Sequence, residues 1–177
     1  MISKLSGWSF AMAIVFIVLG LMAIAEPMLA GLAAALLVGW ILTLGGIAHA
    51  VSVFGGGVAR ALWQAALSVI YLVGGLYFIT HPLLGLGTLT LFLAGILLAQ
   101  ALLEVLTWMQ TRNQSGAGLR LVTAAVTLLL GVMIWRQWPS SSVWAIGTIV
   151  GVNLLMTGFS HLILAGAVRR LTPQSAV

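Results

Sequence analysis

Residues 83–109 read LLGLGTLTLFLAGILLAQALLEVLTWM, and the one charge in that stretch is Glu104. A hydrocarbon core of about 30 Å is crossed by a helix of about 20 apolar residues. Six runs of that kind make up the chain, at roughly 8–25, 28–54, 61–80, 83–109, 119–137 and 140–168. Lipid offers no partner for backbone N–H and C=O groups, so each run is predicted to be a helix. The even-numbered runs are longer, which suits tilt or projection past the membrane face. Composition supports lipid as the main solvent: only 5% of residues are charged, against about a quarter in soluble domains. We therefore expect an all-α integral membrane protein, one membrane domain over 1–177 with six transmembrane helices.

The charges predict an orientation. Lys4, Arg60, Arg112, Arg120, Arg169 and Arg170 all fall on one side of these spans, and Arg136 falls on the other. Lys and Arg accumulate on the cytoplasmic side, so both termini are expected there. Trp8, Trp63 and Trp108 lie towards that side and Trp135, Trp138 and Trp144 towards the opposite one, as in an aromatic belt. The formal charge of +5 comes from basic residues scattered singly at span edges, so a nucleic-acid partner is rejected. Membrane lipids are the expected surroundings, with a homo-oligomer or another membrane protein as open partners. The first run, with Lys4 before it and Ala23-Ile24-Ala25 near its end, has the form of a signal peptide. At about 18 residues it exceeds a signal core, and it is expected to remain as the first span. Cysteine is absent, which excludes disulfides and thiolate metal sites.

Three prolines set the internal organisation. Pro27, Pro82 and Pro139 are 55 and 57 residues apart, and each stands between two apolar runs. Proline at a first helical position loses little, because its missing N–H has no partner there anyway. Gly20 and Gly75 precede their prolines by seven residues and Gly131 by eight, as LGLMAIAEP, GGLYFITHP and LGVMIWRQWP show. Three copies of one helical hairpin follow, at 8–54, 61–109 and 119–168, with a pseudo-threefold relation. In the second helices, Gly39, Ala94 and Gly151 lie 12 residues after the proline, and Gly46, Ala101 and Gly158 lie 19 after. Small residues at this spacing let helix backbones approach closely in lipid, and Gly147 with Gly151 adds a G-x-x-x-G pair. Gly39, Gly46, Gly147, Gly151 and Gly158 are the expected packing positions.

One further position repeats. His49, Glu104 and His161 each lie 22 residues after their proline. At 1.5 Å per residue that is about 33 Å, so they should stand at the cytoplasmic boundary rather than mid-membrane. The middle of these helices, near Leu37, Phe92 and Ile149, is apolar; Thr43, Asn153 and Thr157 are the polar side chains nearest that depth. An ionisable group where transporters hold their ion or substrate is missing. Three readings of the triple remain open: capping of the packing layer, proton sensing, which suits histidine, and a two-histidine, one-carboxylate metal set. At the opposite face Glu26 and His81 directly precede their prolines and Arg136 is close in sequence, giving a candidate pH-sensitive cluster. No catalytic set is recognisable. H-E-x-x-H and P-loop motifs are missing, and Ser160 beside His161 points elsewhere on a helix. Neither cofactor nor metal is expected.

The stretch YLVGGLYFITHPLLGLGTLTLFLAGILLAQALLEVLTWMQTR, residues 71–112, resembles the middle of the HdeD family. The G-x-x-x-x-x-x-P hairpin, the "AG" of the fourth helix and the Trp with basic residues after it carry that resemblance, which extends through all six spans. It implies a six-helix bacterial inner-membrane protein with cytoplasmic termini, linked to acid or other envelope stress and without catalysis. It supplies no catalytic or ligand residues. The alternative expectation is a small proton-linked channel or transporter with its path along the pseudo-threefold axis.

Overall fold

The computed structural model describes residues 2–112 and 117–171, with side chains from Trp8 to Gly166 other than Ser9. Residues 113–116 of the NQSGAG turn and the side chains of Lys4, Arg169 and Arg170 lie outside the described residues. Six helices follow in order: α1 (Ile2–Ala25), α2 (Pro27–Ser52), α3 (Val58–Thr80), α4 (Pro82–Thr111), α5 (Ala117–Arg136) and α6 (Ala145–Leu171). Short 3-10 turns stand at Val53–Gly55 and Ser140–Val143, and no strand occurs among the described residues. Five helical segments are long and apolar enough to cross a membrane, and α1 adds the shorter apolar stretch Phe10–Ala25.

Two of the proline turns have one geometry. Pro27 and Pro82 open α2 and α4, and the residue before each leaves the helical region, Glu26 at φ −127°, ψ 69° and His81 at φ −130°, ψ 64°. Clash with the proline ring causes this. Both turns keep their backbone bonded across a single non-helical residue: Glu26 N–H donates to Met22 C=O at 2.9 Å and His81 N–H to Tyr77 C=O at 2.9 Å. The third turn differs from the expectation that Pro139 opens a helix. Pro139 is preceded by a cis peptide bond and followed by Ser140–Val143 as a 3-10 turn, and α6 starts only at Ala145. The serines explain it. Ser141 Oγ donates to Ile134 C=O at 2.9 Å and Ser142 Oγ to Pro139 C=O at 2.6 Å. Such local bonds compete with a regular helical start.

The two helices of a hairpin pack little against each other. The extensive contacts run between repeats: α2 against α3, α4 against α5, and α6 back against α1, closing a ring. The even helices gather inside it, with α2 touching both α6 and α4. Near the proline end they meet around Leu86, which is 2% exposed. A Cβ on Gly31 would lie 2.9 Å from a Leu86 methyl and 3.6 Å from Gly147 N, and one on Gly147 would strike the Pro27 carbonyl. Ala35 and Thr90, which occupy the same register as Gly147, are 0% exposed.

Small residues set the close approach between repeats, in two layers. In the first, a Cβ on Gly75 would lie 2.8 Å from the Gly39 carbonyl, and one on Gly20 would lie 2.9 Å from the Gly151 carbonyl. In the second, Ser68 Oγ donates to Gly46 C=O at 2.9 Å, and a Cβ on Gly158 would lie 3.0 Å from the Ala13 carbonyl. Between α4 and α5 the corresponding residues are Ala94 with Gly131 and Ala101 with Ala124, all buried. There the nearest atoms to a Cβ on Gly131 would be those of the Leu98 and Leu97 side chains, from 3.0 Å. With no hydrophobic drive between helices in lipid, van der Waals contact of this kind is the main cohesive force. The outward faces are apolar, with Leu44, Ile70, Phe92 and Ile163 among many exposed large side chains.

Candidate functional site

Arg60, Arg112 and Arg120 stand at the ends of α3, α4 and α5 on one side of the bundle, here termed the basic face. His49, Glu104 and His161 lie towards it, each on an even helix, and each packs against the odd helix of the next repeat. His49 Nδ1 is 2.5 Å from Gln64 Oε1 of α3, and its ring meets Tyr71 edge-on at 5.2 Å. His161 stacks on Phe16 of α1, centroids 5.7 Å apart and planes 9° apart, and its buried Nδ1 makes no hydrogen bond. Glu104 Oε1 accepts from Gln100 Nε2 at 3.2 Å, while its buried Oε2 has no partner. Instead of a cluster there are three separate seats, one per inter-repeat interface. No three His, Asp or Glu side chains among the described residues come together as a metal site. The reason is rotational: each residue occupies the helix face that meets the neighbouring odd helix, which is turned away from the bundle centre.

The partners of the triple were not singled out from sequence, although their spacing held a signal. Phe16 and Tyr71 each precede their proline by 11 residues. Gln64 precedes Pro82 by 18 and Arg120 precedes Pro139 by 19, the same one-residue offset that Gly131 shows. Arg120 thus occupies at the Glu104 seat the place that Gln64 holds at the His49 seat. A groove of about 610 Å³ opens there between α4 and α5, lined by Gln100, Leu103, Glu104, Thr107, Leu119, Arg120 and Thr123. Arg120 makes one long contact, Nη1 to Thr111 Oγ1 at 3.4 Å.

The opposite, proline-bearing face does not assemble its three charged candidates either. Glu26 is exposed at the mouth of an apolar cleft of about 590 Å³ between α1, α2 and α6, lined by Ala30, Ala33, Ala34 and Leu154 among others. His81 stacks on Tyr77 at 5.5 Å and shares a 2.8 Å hydrogen bond with Thr80 Oγ1. Arg136 borders an open apolar groove along α5. Each sits on its own turn. The tryptophans divide as well: Trp8 and Trp63 are widely exposed, whereas Trp138 Nε1 donates to Gly87 C=O at 3.1 Å and Trp144 packs on Ala94, Ile134 and Ala145.

Repeated apolar helices that pair across hairpins, with polar seats at one boundary, define a multi-pass helical membrane protein assembled from repeats. The family described as a short repeat of unknown function (DUF308) matches this chain twice, over residues 11–80 and 66–136, and the chain belongs to that family, which contains HdeD-like proteins. Each match covers a hairpin and the helix after it, the unit that holds one inter-repeat interface. Relatives named Protein HdeD, from Escherichia coli K12, Escherichia coli O157:H7 and Shigella flexneri, are each 27% identical over 152 residues, 84% of this chain and 80% of theirs. No solved structure matches the chain. Its apolar helices and these relatives make it a multi-pass inner-membrane protein.

Proposed function

We propose that the chain serves in acid and envelope stress tolerance as a non-enzymatic HdeD-like membrane protein, with both termini cytoplasmic. The observation that carries this reading is the likeness to the HdeD proteins over most of both lengths. The basic face, with Arg60, Arg112 and Arg120, supports the orientation. The interior supports a structural role: Leu86 fills the meeting point of the even helices, Ala35 is wholly buried, and the buried Thr90 hydroxyl is bonded to the Leu86 carbonyl of its own helix. A proton path along the pseudo-threefold axis would need polar groups or water there.

Survival of a strain lacking the protein, after acid exposure, tests the role. Survival should fall and return with the wild-type copy; unchanged survival in the deletion rejects the reading. Liposome flux across a pH gradient tests the alternative. We expect none, and flux lost on changing His49, Glu104 and His161 together would establish transport instead. Because the chain has no cysteine, single cysteines at Gly56 and Ser140 report orientation directly. Labelling of the Ser140 position alone from outside the cell is expected.

A further inference from the structure

We infer that the groove between α4 and α5 at the basic face binds the headgroup of a phospholipid bearing a primary ammonium group. Three observations carry this. First, Glu104 keeps one buried carboxylate oxygen without a partner, its other oxygen held only by Gln100. An unpaired buried acceptor is costly, and it calls for an N–H donor. Second, Arg120 borders the same groove, and no ion pair joins it to Glu104 among the described residues. The site therefore presents a cation and an anion that a direct contact does not neutralise. Third, the equivalent seat between α2 and α3 is closed by the direct His49–Gln64 bond under Tyr71. The α4–α5 seat instead combines opposite charges with open space of about 610 Å³.

The occupant follows from depth and charge. Glu104 stands at the membrane boundary, about 33 Å along α4 from its proline, where lipid headgroups lie. A phosphoethanolamine group carries both complements on one short linker. Its ammonium donates to the Glu104 carboxylate, which a rotation about its last side-chain torsion turns to present Oε2 to the groove, and its phosphate accepts from the Arg120 guanidinium, an arrangement charge-assisted at both ends. Leu103 and Leu119 line the groove alongside these groups and offer apolar contact to the acyl chains. A trimethylated headgroup lacks the N–H that Glu104 requires, and a glycerol headgroup lacks the cation.

The test uses the full-length protein, stripped of lipid in detergent, with phosphatidylethanolamine, phosphatidylcholine or phosphatidylglycerol added back. Melting temperature and lipid retained in native mass spectrometry are the readouts. Wild type should favour phosphatidylethanolamine over the other two by about tenfold in apparent Kd. E104Q, which is isosteric, should abolish that preference while still retaining phospholipid. E104D keeps the charge and should keep part of the preference. R120Q should weaken all three lipids together. Equal affinity of wild type for the three lipids, or a preference that survives E104Q, overturns the inference. So does equal destabilisation of the lipid-free protein by E104Q and R120Q with no response to lipid, since that result means a direct ion pair fills the seat.

Discussion

Two interfaces of the ring, α2–α3 and α4–α5, are built from equivalent positions and hold together differently. Glycine faces glycine at Gly39 and Gly75, Ser68 bonds the Gly46 carbonyl, and the polar seat is closed by His49 and Gln64. Between α4 and α5, alanines stand at 94 and 101, Gly131 meets leucine side chains rather than a backbone carbonyl, and the seat between Glu104 and Arg120 is open. The α2–α3 interface satisfies its own polar group, and the α4–α5 interface leaves a charged groove at the membrane boundary. One architecture thus yields both a joint and a binding place.

The largest test of this contrast adds a methyl to each interface. Gly75→Ala drives its Cβ against Thr43 and to 2.8 Å from the Gly39 carbonyl, and should cost about 2–3 kcal/mol. Gly131→Ala meets the Leu98 side chain from 3.0 Å and the Leu97 Cβ at 3.3 Å, with no backbone atom as near, and should cost less, about 1 kcal/mol. Denaturation in detergent micelles measures both, and equal losses would abolish the distinction. Next in size is the closed seat. His49→Leu strands Gln64, and a double-mutant cycle with Gln64→Leu should return a coupling of about 0.6–1.7 kcal/mol. A coupling of zero would mean the bond adds nothing to the joint. Of the opposite sign, Glu104→Gln in lipid-free detergent should stabilise the protein by about 1 kcal/mol, since it removes the charge from a buried oxygen that has no protein partner to lose. The smallest effect belongs to the opposite face: His81→Gln should change the melting temperature at neutral pH little, because the ring contact and hydrogen bond of the His81 side chain are to Tyr77 and Thr80 of the preceding helix.

Much of the fold was legible in the sequence because lipid leaves the backbone one solution and proline marks where it restarts. The helix ends at Ala25, Thr80 and Arg136 fall close to the predicted limits. Pairing was not legible. A repeat of three hairpins suggests that each hairpin packs on itself, and the spacing of Gly20 or Gly75 says only that some helix comes near. The partner is set by which way each glycine face is turned. The same rotation kept His49, Glu104 and His161 apart, although their common offset is plain in the chain. Ser140, Ser141 and Ser142 were a readable sign that the third turn would differ, since hydroxyls after a proline bond the nearby backbone.

The closure of α6 onto α1 has a consequence for biosynthesis. The chain emerges from the ribosome with α1 first, and the surface that α1 requires is made last. At synthesis rates of about 5–20 residues per second, that interval is about six to thirty seconds. Throughout it, Gly20 and Ala13 present a narrow glycine-and-alanine surface to lipid, insertion machinery or a second nascent chain.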